Sequence, residues 1–344
     1  MDPVTEYHEM RGGNINETYL VSANNKEYVL QKINSDVFDN VDHLMHNIGM
    51  VTDHLRLKSR GCKNFRIPYY YESAGKKYII LNNEYWRVSD YIGNSFTPEA
   101  TDKDYSVMKK TGLAFGRFDR QLMDLDHSKL YYTIPHFHDT SYILMRLFEA
   151  AETSPSDRLN GVRTELKIIE ENRYLSEEIG KMILRGELPV RAVHNDTKKD
   201  NILFDKNTLE PVAVIDLDTC MPGYICYDYG DAIRSGCSSG EEDREEGMVL
   251  DMELFKAFSE GYLSETGKYL TEPEVRSLSL CVPAVTLELA ARFLEDYLKG
   301  DQYFRTEYEG QNLVRARAQL KLFIDMKKRI DDVTSVIEDC IRKY

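Results

Sequence analysis

The chain has 344 residues, 42% hydrophobic and 30% charged, a balance that excludes disorder and gives material for about two core-forming units. Its 58 acidic residues outnumber 44 basic ones, and the formal net charge of −14 argues against nucleic acid or an anionic membrane surface as the main partner. Six scattered cysteines without CxxC spacing, and no apolar run near the roughly 18 residues of a bilayer span, lead to the expectation of a soluble protein in a reducing, cytoplasmic compartment.

Up to about residue 92, short β-like runs alternate with turn residues. Residues 18–22 and 28–33 flank Asn24-Asn25 and read as a hairpin. A helix is predicted over about 41–58, where Leu44, Ile48, Val51 and Leu55 recur at helical spacing. Strands are predicted at 77–81 and 85–92, with Asn82-Asn83 as the turn between them. From about residue 100 helical patterns dominate, over 103–123, 159–184, 250–266, 273–298 and 312–340. One β island interrupts them, at 191–194, 202–204 and 212–215. The acidic run 241–246 reads as a solvated loop or helix start. This pattern predicts an α+β, two-lobed fold: a small β-rich N-terminal lobe at 1–92 and a larger, mainly α-helical lobe at 93–344.

The chemistry-bearing strings are His194-Asn195-Asp196-Thr197-Lys198-Lys199-Asp200-Asn201 and Ile215-Asp216-Leu217-Asp218-Thr219. An aspartate followed five positions later by asparagine matches the kinase catalytic loop, and an acid after the next apolar strand matches its metal-binding aspartate. Phosphoryl transfer needs positioning and charge neutralisation more than covalent help. One carboxylate must sit at the acceptor hydroxyl, while an amide oxygen and a second carboxylate hold Mg²⁺ against phosphate oxygens. Asp196 is accordingly expected as catalytic base, with Asn201 and Asp216 as metal ligands and ATP as phosphate donor. Lys198 stands where many protein kinases place a lysine that reaches the transferred phosphate. Asp218, two positions after Asp216, is expected on the same side of an extended chain, as a support for the metal, a substrate contact or a structural cap.

These strings, with Tyr28-Val29-Leu30-Gln31, Trp86-Arg87-Val88, His136-Phe137-His138-Asp139-Thr140, Met221-Pro222-Gly223 and Phe293-Leu294-Glu295-Asp296-Tyr297-Leu298, resemble the aminoglycoside phosphotransferase and choline kinase superfamily. More narrowly, and over nearly the whole length, the chain resembles the N-acetylhexosamine 1-kinases. That resemblance implies a protein-kinase-like fold and phosphorylation of the anomeric hydroxyl of N-acetylglucosamine or N-acetylgalactosamine, with Arg292 and Tyr303 helping to hold the sugar. An aminoglycoside, choline or other sugar as acceptor, and a nucleotide-binding scaffold without turnover, are the rival readings. Gly12, Gly13 and Asn14 form a loosely glycine-rich loop able to offer N–H groups to phosphate. Adenine is expected against the segment from Tyr91 to Gly93.

Four features depart from the pattern or carry a competing reading. The strand position that usually holds the phosphate-facing lysine holds Gln31. Its neighbour Lys32, the remaining candidate for nucleotide contact, faces the other way on a regular strand. Asn14 stands where sugar kinases of this group tend to have histidine. Arg292 has Glu288 four residues before it and Asp296 four after, which also reads as an ion-pair ladder on a helix surface. His136-Phe137-His138-Asp139 lacks further ligands at metal spacing and reads as a solvent-edge or substrate-shaping loop, the resemblance favouring the latter.

Overall fold

The computed structural model describes residues 4–10, 15–59, 65–98 and 104–344. The Gly12, Gly13 and Asn14 loop lies outside them. The N-terminal part is built on strands β1 (Glu6–Glu9), β2 (Glu17–Ala23) and β3 (Lys26–Ile33), helix α1 (Val41–Lys58), and strands β4 (Ile79–Leu81) and β5 (Glu84–Asp90). They form one antiparallel sheet in the order β1-β2-β3-β5-β4. Both Asn-Asn turns are made by residues with positive φ, 52° and 57° at Asn24 and Asn25, 52° and 65° at Asn82 and Asn83. Asparagine tolerates that region, and the resulting turn matches the strand twist. Asn40 caps α1 by accepting from the His43 N–H, and Leu44, Ile48, Val51 and Leu55 are buried as the periodicity required.

Strand β6 (Ser95–Phe96) leads into α2 (Tyr105–Leu122), α3 (Thr140–Thr153), α4 (Ser156–Asn160), α5 (Arg163–Asn172) and α6 (Tyr174–Leu184). The β island follows as β7 (Arg191–Val193), β8 (Ile202–Asp205), β9 (Pro211–Val214) and β10 (Met221–Gly223). The chain ends with α7 (Ile225–Gly236), α8 (Met252–Thr266), α9 (Glu272–Leu298), α10 (Gln311–Lys328) and α11 (Ile330–Ile341). Strands β6, β8 and β9 form a small sheet, and β7 pairs with β10. A β-rich N-terminal part and a larger helical part are therefore present as expected.

Helix α9 is the hub of the helical part, packed by α3, α6, α7, α10 and α11. Its start is sealed by a capping box between Thr271 and Glu274. Long and apolar enough to cross a membrane, it is instead mostly buried in the core. The predicted helices 159–184 and 312–340 are each broken, the first at Gly161 and Arg173, the second at Arg329. Helix α7 was not legible because Gly230, Gly236, Asp228 and Asp231 are poor helix formers. Packing explains Gly230, where an added Cβ would stand 2.8 Å from the Cys281 carbonyl oxygen on α9.

Helices α2 and α8 cross at backbone contact. A Cβ on Gly116 would meet the Tyr262 carbonyl oxygen at 2.5 Å, and one on Gly261 the Lys109 carbonyl oxygen at 2.0 Å. This approach brings the Tyr262 hydroxyl to the buried Asp119, behind the segment that carries Asp196. Because backbone rather than flexible side chain is in the way, Gly116→Ala should lower the unfolding free energy by about 1–3 kcal/mol. The measurement is urea unfolding with the slope unchanged; an unshifted midpoint would refute so close a crossing.

Candidate active site

Strand β7 delivers His194 to the core, where its ring packs edge-on against Phe115 and Phe118 of α2. Its Nε2 faces the Ile215 carbonyl oxygen at 3.0 Å, while Nδ1 faces the Asp196 N–H at 3.3 Å. A carbonyl only accepts and an amide only donates, so His194 is neutral with the proton on Nε2. Asn195 next takes a left-handed φ of 66°, a cost for a non-glycine residue. That turn is held from below. The Asp228 carboxylate on α7 accepts the N–H groups of His194 and Asn195 at 2.7 and 2.6 Å. One turn on, Asp231 accepts the Thr197 N–H at 3.0 Å. Asp228 is fully buried and hydrogen-bonded to Asp119 behind it. Burial, then the Asp228 charge, drives the Asp119 carboxyl well above its usual range, so Asp119 is the protonated partner of the pair. The D-x-x-D spacing of Asp228 and Asp231 was visible in the sequence, but nothing local linked it to residues 194–197.

Above this base the expected residues Asp196, Lys198 and Asn201 come together. Lys198 Nζ donates to Asp196 Oδ2 at 2.9 Å. The Asn201 amide nitrogen donates to the Asp196 carbonyl at 2.8 Å and to its carboxylate at 3.1 Å. This leaves the Asn201 amide oxygen without a donor among the described residues. The Ile215 N–H binds the Asn201 carbonyl at 2.9 Å, which draws Asp216 to the same cavity. Burial would raise the Asp196 pKa, but the charge and hydrogen bond of Lys198, with the Asn201 hydrogen bond, hold it below the ordinary value. The Asp216 carboxylate has no hydrogen bond or ion pair among the described residues. Desolvation, then the charges of Asp218 and Asp196, pushes its carboxyl up to about 6, with Lys198 opposing. The Asp216 side chain is exposed, and the two neighbouring acids keep its pKa raised.

An acid held partly protonated by two others, beside a free amide oxygen, suits a hard dication with oxygen ligands. No group of three or more His, Cys, Asp or Glu side chains among the described residues forms a metal cage. Two protein ligands are enough where phosphate and water supply the rest.

On the side of the N-terminal sheet, Arg87 of β5 faces Gln31 of β3 in register. Its guanidinium reaches Asp218 with N–O distances of 2.7 and 2.9 Å. Lys32 does not join this cluster. It lies on the opposite face, bound to Glu17 at 3.0 Å and Glu84 at 2.8 Å, because adjacent strand residues alternate. Tyr91 follows β5, half-buried, and beside it Ile92 packs with Val212, Ala213, Leu203 and Ile215 as an apolar cluster separate from the main core.

On the other side, His138 stacks on Tyr227 and is buried between the Glu288 carboxylate, 3.0 Å from Nδ1, and the Asn195 carbonyl, 3.3 Å from Nε2. Both partners only accept, so both ring nitrogens carry protons. Burial opposes that charge, but Glu288 and then Asp231 outweigh it, and the His138 pKa is raised in spite of nearby Arg292. The expected ladder along α9 is not formed. Glu288 is taken by His138 and Thr140, and Asp296 by the N–H groups of Gln302, Tyr303 and Phe304. Arg292 has no carboxylate partner among the described residues. Its guanidinium lies over Phe137 at 5.5 Å, Phe304 at 5.6 Å and the exposed Tyr303 at 6.0 Å. Arg292 and Tyr303 are thus together, and Arg292 is near enough to His138, which binds the Asn195 carbonyl, to oppose its charge. His136 pairs with Asp139 at 2.9 Å, not with a metal cluster.

Residues 101–269 match the model of the phosphotransferase enzyme family. The whole chain is similar in structure to an ethanolamine kinase from Plasmodium vivax, at 15% identity and TM-score 0.61, over 94% of this chain and 84% of that one. It is also similar to an aminoglycoside phosphotransferase from Alicyclobacillus acidocaldarius, at 12% identity and TM-score 0.62, over 96% and 93%. A spectinomycin phosphotransferase in complex with ADP and spectinomycin matches at 16% identity and TM-score 0.56, over 98% and 94%. The chain therefore has the two-lobed protein-kinase-like fold.

His138 supplies a test of this geometry. Its folded pKa is raised, so its contribution to stability is complete below the unfolded histidine value and is lost as pH rises through the folded one. His138→Gln should lower the melting temperature more at pH 6 than at pH 9. An equal loss at both would mean that His138 is neutral.

Proposed function

From a protein-kinase-like fold and a phosphotransferase-family match over residues 101–269, we propose that this chain is an ATP- and Mg²⁺-dependent kinase of a small hydroxyl-bearing molecule, with an N-acetylhexosamine phosphorylated at its anomeric oxygen as the favoured acceptor. The observation that carries the kinase reading is the convergence of Asp196, Lys198, Asn201 and the unpaired Asp216 on one cavity. Residues 1–92 would cover the nucleotide and residues 93–344 would hold the catalytic groups and the acceptor. Adenine would lie on the apolar cluster of Ile92, Leu203 and Ile215 beside Tyr91.

In the proposed reaction Asp196, ionised at neutral pH, orients the acceptor hydroxyl and takes its proton as the new P–O bond forms. The acceptor oxygen bonds the γ-phosphorus while the bond from that phosphorus to the β–γ bridging oxygen breaks, and ADP leaves. A loose transition state asks little basicity of Asp196, in keeping with its lowered pKa. Lys198 stands on the Asp196 carboxylate, close to where charge develops on the transferred group. Mg²⁺, when bound by Asn201 and Asp216, would neutralise phosphate oxygens.

The acceptor reading draws on Arg292. A guanidinium over Phe137, Phe304 and Tyr303, without a carboxylate, repels a cationic acceptor and suits the carbonyl and hydroxyl groups of a neutral sugar. A cationic acceptor is the second reading, favoured by the acidic surface implied by a net charge of −14.

ADP release should be measured with Mg-ATP and, side by side, N-acetylglucosamine, N-acetylgalactosamine, kanamycin, choline and ethanolamine. Turnover is expected with an N-acetylated sugar and should fall by about 10²–10⁴-fold in Asp196→Asn. Turnover only with a cationic acceptor would keep the chemistry and overturn the acceptor.

A further inference from the structure

The residue that links the N-terminal sheet to the catalytic groups is not on β3. Position 31 is glutamine, and Arg87 is its direct partner on β5. Gln31 gives its amide nitrogen to Thr18 at 3.1 Å and accepts Arg87 Nε on its oxygen at 3.0 Å. Of the other two nitrogens of Arg87, Nη2 donates to Asp218 Oδ2 at 2.9 Å, while Nη1 lies 2.7 Å from Oδ1 as an ion pair and donates to Met45 Sδ, so both face the residue two after Asp216 or the core beside it. Asn16, at the mouth of β2, donates to the same Asp218 carboxylate at 2.7 Å. Arg87 is 2% exposed and Asp218 3%, and the Tyr70 ring lies 5.6 Å from the guanidinium. From α1, Asn47 donates to the Cys220 carbonyl at 3.0 Å, so the N-terminal part grips residues 218–220 at both ends. A lysine at position 31 would set a second cation against the guanidinium. An uncharged acceptor is what the site requires there.

Resting on the kinase reading above, we infer that Arg87 is a positioning residue. Through Asp218 it holds the segment that presents Asp216, and it replaces the lysine of β3 as the cation that couples the sheet to the metal-binding loop, without itself touching phosphate. Its enclosure decides between the two roles. Every nitrogen of the guanidinium already faces a protein acceptor, and a phosphate would have to expel Asp218 to reach it.

The test uses the whole chain and reads Mg-ADP affinity by calorimetry, together with the Mg²⁺ concentration for half-saturation, KM for Mg-ATP against kcat, and the melting temperature. The variants are Arg87→Met, Asp218→Asn, the double variant and Arg87→Lys. Either single change leaves a buried charge without its partner and risks unfolding, whereas the double variant removes both charges and should melt closer to the wild type. Both singles should weaken Mg-ADP binding and raise the Mg²⁺ requirement by at least about tenfold, the double should be no worse than the poorer single, and Arg87→Lys should recover part of the loss. If Asp218→Asn leaves Mg-ADP affinity intact or tighter while Arg87→Met weakens it, Arg87 is a phosphate ligand and the inference fails. It fails also if all variants stay within threefold of the wild type and only melting changes. Mg-ADP binding needs no acceptor, so a wrong acceptor leaves the inference standing, while a wild-type chain that binds no Mg-ADP removes both.

Discussion

A carboxylate with no access to water keeps its charge only if its oxygens are fully used, and Asp228 meets that condition by accepting the two amides that define the turn at His194 and Asn195. The left-handed Asn195 persists because Asp228 below, the His194 ring beside it and the Asn195 amide, bonded to the Thr219 carbonyl at 2.9 Å, all hold the same conformation. Remove that anchor and Asp196, Lys198 and Asn201 lose their common origin. The close crossing of α2 and α8 belongs to the same device, since it brings Tyr262 and Asp119 up behind Asp228.

Charge is organised in layers around this anchor. Below it lies a carboxyl pair with one proton. Above it Asp196 is paired, Asp218 is paired, and Asp216 between them is not. The imbalance lies at the position where, under the proposed function, a dication would sit against phosphate, and a dication there would offset the unpaired charge. To one side the charged His138 ties Glu288 of α9 to the Asn195 carbonyl. It thereby joins the wall that carries Arg292 to the turn that carries Asp196. A shift in either should be felt by the other, because both ends of the imidazolium are committed.

Much of this was legible in the chain itself. The hairpins follow from asparagine pairs, and helices α1 and α9 from their helical spacing. The spacing from Asp196 to Asn201 to Asp216 follows from a loop and a hairpin that are local in sequence. The opposite facing of Gln31 and Lys32 was likewise a matter of strand alternation, and Lys32 is accordingly found with Glu17 and Glu84. Each rests on a periodicity or turn preference that acts within a few residues.

Partner choice was decided only in three dimensions. Arg87 and Asp218 are 131 residues apart, and His138 and Glu288 are 150 apart. With 58 acids and 44 bases, the sequence offers many pairings of equal local merit. Arg292 shows the difference most plainly: helical spacing offered Glu288 and Asp296 as its partners, and both were claimed by groups from other elements. Burial made those claims stronger, since a charge away from water binds whatever the packing sets within reach, while an exposed neighbour on the same helix gains only a few tenths of a kcal/mol. The sequence thus determined which groups exist for chemistry and their order along the chain. The tertiary structure decided which of them are paired, and hence which are left free to act.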